Sequence, residues 1–100
     1  MANQSLDQHI FTVVCDYEGG TYVSQYRDAD AVGAARQWCD MLRAERPIPR
    51  SSGHIANHLV RDLDAGQLPA SLTGLSNVWQ IGGTVGRSFY TATIIMSARG

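Results

Sequence analysis

From His9 to Tyr17 the chain reads HIFTVVCDY, and from Thr21 to Arg27 it reads TYVSQYR. Both runs are rich in β-branched and aromatic residues, which suit a pleated, half-buried surface, so each predicts a strand. Glu18-Gly19-Gly20 separates them, and glycine supplies the positive φ that a tight hairpin turn demands. Parity across a two-residue turn places Phe11, Val13, Cys15 and Tyr17 on one face with Tyr22, Ser24 and Tyr26. Ile10, Thr12, Val14, Asp16, Val23 and Gln25 fall on the other. The first face is the more apolar and is expected to meet the core, although Val14 and Val23 pull the other way.

The period then changes from two to between three and four. In DADAVGAARQWCDMLRAERP, Ala31, Ala34, Ala35, Trp38, Met41 and Leu42 recur at helical steps, with Asp28 or Asp30 as cap and Pro47 and Pro49 ending the helix. SSGHIANHLVRDLDAG repeats the logic: Ser51 or Ser52 caps, Ile55, Leu59 and Leu63 form the stripe, and Gly66 stops it. Residues 67–76 read as a connector whose Leu68, Leu72 and Leu75 are expected to tuck under the domain. NVWQI and SFYTATIIMSA are strand-like again, with Gly82, Gly83 and Gly86 between them for a second hairpin. Tyr90, Ala92, Ile94 and Met96 share a face of the last strand.

The predicted order is therefore ββααββ. It is most simply an α+β domain of two layers, a four-stranded, mainly antiparallel sheet with both helices on one face. One hundred residues make a single domain, 1–100, with one core and a frayed start at 1–8. No apolar run approaches the roughly 18 residues of a membrane span, and MANQSLDQHI has no basic cluster leading into an apolar stretch. A cytoplasmic protein with no membrane partner is the expectation.

Charge alters this picture locally. The net charge of −1 offers no general attraction to nucleic acid, so no direct nucleic-acid partner is expected. Residues 1–32 carry five acids against Arg27, while residues 33–61 carry five arginines against Asp40 and Glu45. Arg36, Arg43, Arg46 and Arg50 read as a solvated face, since Trp38, the aromatic nearby, belongs to the buried stripe. Cys15 and Cys39 have no CxxC spacing and read as free, buried thiols.

No catalytic motif emerges, and no cofactor or metal is expected. His54 and His58 lie at i and i+4, which could bring two imidazoles to one zinc, but HIANH lacks the glutamate of HExxH and a third ligand. A nucleophile and base built from Cys15 or Cys39 with His9 is the other enzymatic arrangement to test. Neither glycine pair leads directly from strand into helix, as a phosphate loop requires. What remains are acids: Asp16 and Glu18 at the first hairpin, and Asp62 and Asp64 at the unfavourable end of the second helix dipole.

DYEGGTYVSQ followed by a helix of the type A…ARQW, and then LTGLSNVWQIGG leading into the final strand, resembles small bacterial immunity-type proteins of contact-dependent growth inhibition and related toxin systems. The similarity runs from about Phe11 to Ile95 and rests on turn glycines, strand residues and core aromatics. It implies a protein that binds and neutralises one cognate toxin domain, commonly a nuclease, by occluding its active site. An inhibitor facing a basic substrate cleft gains from acids, through steering and complementary pairing. Asp16, Glu18, Tyr22, Asp62 and Asp64 are the partner-binding candidates, on a chain that is a monomer or weak dimer when free. The rival expectations are a metal-binding or enzymatic module using His54 and His58, and an oligomeric scaffold that pairs exposed strand edges.

Overall fold

The computed structural model describes residues 8–97. The expectation of a frayed start therefore lies, except for Gln8, outside the described residues. β1 (His9–Tyr17) and β2 (Gly20–Asp28) form the first hairpin, followed by α1 (Ala31–Glu45) and α2 (Ser52–Asp64). Then come a two-residue strand β3 (Ala70–Ser71), β4 (Val78–Val85) and β5 (Ser88–Met96). The fold is α+β with an antiparallel sheet in the order β2-β1-β5-β4-β3.

Among the described residues the sheet thus has five strands, not four, and the order is ββααβββ. The extra strand is β3, which pairs Ala70 with Gln80 and Ser71 with Trp79. Two residues leave no period to detect, which is why the connector reads as a loop. Leu68 and Leu75 do not tuck under the domain: they are 59% and 58% exposed. Leu72 is half-buried, and its N–H donates to the Val78 carbonyl, extending this short edge by one bond.

The first hairpin follows the two-residue parity. Cys15 pairs with Tyr22, Val13 with Ser24 and Phe11 with Tyr26, and Phe11, Val13, Cys15 and Tyr17 are buried. The positive φ in the turn belongs to Glu18 (48°) and Gly19 (81°), while Gly20 is already a strand residue. In the second hairpin Gly82 and Gly83 are likewise strand residues, paired with Thr91 and Tyr90. The turn is Gly86-Arg87, with the positive φ at Gly86.

Both helices lie over the face that carries Phe11, Val13, Cys15, Tyr90, Ala92 and Ile94. Into it α1 sends Ala34, Ala35, Trp38, Cys39 and Leu42, and α2 sends Ile55, Ala56, Leu59 and Leu63. Each fully buried large aliphatic or aromatic side chain contributes about 1.5–3 kcal/mol of transfer free energy, so this single layer of contacts dominates stability. Asp30 is the cap of α1, accepting from the Gly33 N–H at 2.7 Å. Asp28 instead accepts from the Ala29 N–H and from Gln37 Nε2. Between the prolines of the interhelical link Ile48 is 2% exposed, held by Ser52, whose hydroxyl accepts from the Ile48 N–H and donates to its carbonyl. Among the described residues no helix covers the opposite sheet face, which exposes Val23, Phe89 and Ile95 beside a polar ladder in which Gln25 donates to Thr12 and Gln80 to Thr93.

Candidate functional site

The hairpin turn sets out its acids in a fixed way. Glu18 occupies the left-handed region, which costs a residue with a Cβ about 1 kcal/mol relative to glycine. Its carboxylate is held from the far side of the sequence, by the Ser88 hydroxyl donating to Oε2 at 2.6 Å. The pleat sends Asp16 to the uncovered sheet face, where Thr21 Oγ1 donates to its Oδ1 at 2.9 Å. Tyr22 goes to the helix face, its ring folded back over Gly20. Asp16 and Glu18 are both exposed, and neither has an ion-pair partner among the described residues.

Asp62 and Asp64 lie elsewhere. The Ser51 hydroxyl donates to the Tyr17 hydroxyl oxygen at 3.2 Å, which fixes the start of α2 beside the first turn. Thirteen residues of helix then carry the chain about 20 Å away before Asp64 is reached. Each of these acids also has an internal counterpart. Asp64 pairs with Arg36 of α1 at 2.8 Å, and Asp62 faces His58 at 3.7 Å, one turn back on its own helix. The five candidates are therefore two separate groups at opposite ends of α2.

The imidazoles do not converge either. His54 is exposed, whereas His58 turns inward: its Nδ1 lies 3.0 Å from the Tyr90 hydroxyl, and its ring stands edge-on to Tyr90 at 5.6 Å. Gly83 makes this possible, because a Cβ there would come within 2.2 Å of the imidazole Cε1. Gly83 thus serves as a niche in the sheet, and His58, Tyr90 and Asp62 form a half-buried polar cluster above it. Burial, followed by the negative charge of Asp62, pushes the Tyr90 hydroxyl pKa up. No group of three or more His, Cys, Asp or Glu among the described residues is arranged to hold a metal ion.

The thiols are equally closed. Cys15 and Cys39 are fully buried, and burial pushes each up to about 12, with Asp16 adding to the effect at Cys15. A thiol in that state is protonated at neutral pH and a poor nucleophile. His9 stands six strand residues from Cys15, about 20 Å along β1, and its ring packs edge-on against Phe11.

A feature that sequence reasoning missed is a concavity of about 290 Å³ where α2 begins, lined by Arg46, Arg50, Ser51, Gly53, His54 and Asn57. Arg46 and Arg50 both adopt positive φ, and the Ser51 side chain makes no capping bond. The positive end of the helix dipole and the two arginines make the concavity cationic. The Tyr17–Ser51 contact ties it to the acidic turn, so one end of the domain presents hydrogen-bonded acids near two arginines. Helical periodicity could not reveal this, because the arginines lie in the link between helices and not on a face.

Among the described residues no helix is long and apolar enough to cross a membrane. No protein-family model, no curated protein and no solved structure matches the chain.

Proposed function

We propose that this chain is a stoichiometric protein-binding domain of the toxin-neutralising immunity type, which occludes a cognate toxin domain with the end that carries the first turn. The observation that carries the reading is Glu18. A charged residue is kept at a left-handed position where asparagine or glycine would be more stable, and a hydroxyl seventy residues away aims its carboxylate. Local strain retained together with a positioned charge supports recognition, because ordering the carboxylate beforehand lowers what association must spend on it. Asp16 adds a second acid on the adjoining sheet face, and the cationic concavity beside the turn complements acids of the partner. Asp62 and Asp64, already matched by His58 and Arg36, are secondary under this reading.

A nuclease presents a basic substrate cleft, and the acidic turn suits it through steering and close pairing. The test is calorimetric titration against any toxin domain found encoded beside this chain, together with that toxin's activity at equimolar inhibitor. A 1:1 complex with loss of activity is expected, and Asp16→Arg with Glu18→Arg should slow association at least about tenfold at low salt. A toxin left fully active, or association unaffected by the double substitution, refutes the proposal.

A further inference from the structure

The two edges of the sheet differ in a way that points to a second copy of this chain. Natural sheets blunt their edges with short strands, bulges, proline or inward charge. β3 follows that rule, being two residues long. β2 does not: its nine residues pair one-to-one with β1 without a bulge, and from Gly20 to Tyr26 it has no charge and no proline.

The hairpin fixes which backbone groups face outward. Tyr17 and Gly20 close a two-residue turn and exchange hydrogen bonds, and the pattern alternates from there. Tyr22, Ser24, Tyr26 and Asp28 therefore bond inward to β1, while Thr21, Val23, Gln25 and Arg27 direct N–H and C=O to the open side. Gln37 of α1 confirms the parity by donating to the Arg27 carbonyl at 2.8 Å from that side, which leaves the oxygen a second lone pair.

We infer that β2 pairs antiparallel with β2 of a second copy about a two-fold axis at Ser24, joining two sheets into one of ten strands. Antiparallel pairing of the outward groups requires odd residues to face odd residues. The register that overlaps all nine positions sets Val23 opposite Gln25′ and Thr21 opposite Arg27′, where the prime marks the second copy. Tyr22 then adjoins Tyr26′ on the helix face, a favourable aromatic cross-strand pair.

Charge complementarity supports this register. On the uncovered face Thr21 pairs with Asp16. Arg27′ opposite Thr21 thus lies in the same row as Asp16, two strand spacings or about 10 Å away, a gap that an arginine and an aspartate side chain bridge together. Within one copy these residues sit six positions apart along the hairpin and cannot meet, and neither has an ion-pair partner among the described residues. The two-fold axis supplies each with its counterpart, twice per dimer. This inference does not rest on the proposed function: the turn residues Glu18 and Gly19 stay free at each end of the paired strands, whereas Asp16 is shared, since in the dimer it faces Arg27′ and not a toxin.

Sedimentation of the full chain over a wide concentration range tests it. The expected species is twice the 10.9 kDa chain mass, and Gln25→Pro, which removes an outward N–H at an edge position, should weaken the dimer at least tenfold while the circular dichroism is kept. Asp16→Arg and Arg27→Asp should each weaken self-association, yet the two variants mixed should form a heterodimer, since like charges in each become opposite charges between them. A chain that stays monomeric to millimolar concentration overturns the inference. So does a dimer indifferent to Gln25→Pro, or a mixture that fails to associate. An edge that pairs with the toxin strand alone would appear as the first of these results.

Discussion

Replacing Gly83 by alanine tests the niche beneath His58. The added methyl carbon would lie 2.2 Å from Cε1, 2.8 Å from Nε2 and 2.9 Å from Nδ1 of that imidazole, whereas comfortable carbon contacts begin near about 3.5 Å. Helix α2 cannot retreat, because Ile55 and Leu59 anchor it on either side of His58. The ring must therefore swing to solvent, which its 22% exposed side chain allows. The Tyr90 hydroxyl is then stranded in a residue that is itself 0% exposed. An unsatisfied buried hydroxyl costs about 1–3 kcal/mol, and lost packing around the ring adds about 1 kcal/mol. Removing a strand glycine returns about 0.5–1 kcal/mol. The net expectation is about 1–3 kcal/mol of destabilisation, or roughly 4–8 °C in Tm for each kcal/mol in a domain of this size. Urea unfolding followed by the fluorescence of Trp38 and Trp79 measures it, provided the m-value is unchanged. The decisive comparison is a cycle with His58→Ala, in which the methyl meets open space and the same Gly83→Ala change should be neutral or stabilising. An equal cost in both backgrounds would refute the niche.

Three further outcomes follow from other parts of the molecule. Stability should fall at high pH: both thiols titrate near about 12 when folded but near 9.0 when exposed. The unfolded chain therefore releases these protons first, and stability that is whole below pH 9 declines by up to about 1.4 kcal/mol per pH unit per thiol between the two values. Cys15→Ala with Cys39→Ala should flatten that decline, and an unchanged slope would contradict the burial argument. Glu18→Asn should raise stability by about 0.5–1 kcal/mol, since asparagine before Gly19 suits the turn, and under the proposed function it should lower affinity for the toxin domain; a gain in both would remove Glu18 from the proposed interface. Asp30→Ala should cost about 1 kcal/mol by uncapping α1, whereas Asp28→Ala should leave the helix start intact, as read by amide exchange at Gly33.

The two helices and the strands β1, β2, β4 and β5 were legible in the sequence because each is long enough to show its period, whereas the two-residue β3 was not, and the first hairpin's faces followed because a two-residue turn leaves no freedom of register. Gly82 and Gly83 were misread as turn residues since glycine has several uses. Here Gly83 admits His58, and Gly82 lies under the exposed Phe89 ring. Leu68 and Leu75 were misread because apolar character in a loop says nothing about direction, whereas Ile48 between two prolines was the buried one. Of the site, the acids at the turn could be found from composition, but their separation from Asp62 and Asp64 depends on the Tyr17–Ser51 contact. The cationic concavity depends on two arginines with left-handed backbone, and neither feature has a local signature.

The position of β5 governs how the chain can be made. It lies between β1 and β4, so Phe11 finds Met96 as its neighbour and the middle of the sheet is supplied by the last of the described strands in chain order. Closing such a long loop is entropically expensive and slow. Until residues 88–96 emerge, β1 is open on that side, and a nascent chain stopped after β4 lacks Tyr90, Ala92 and Ile94 from its centre, so a stop there takes away part of the core and not an appendage.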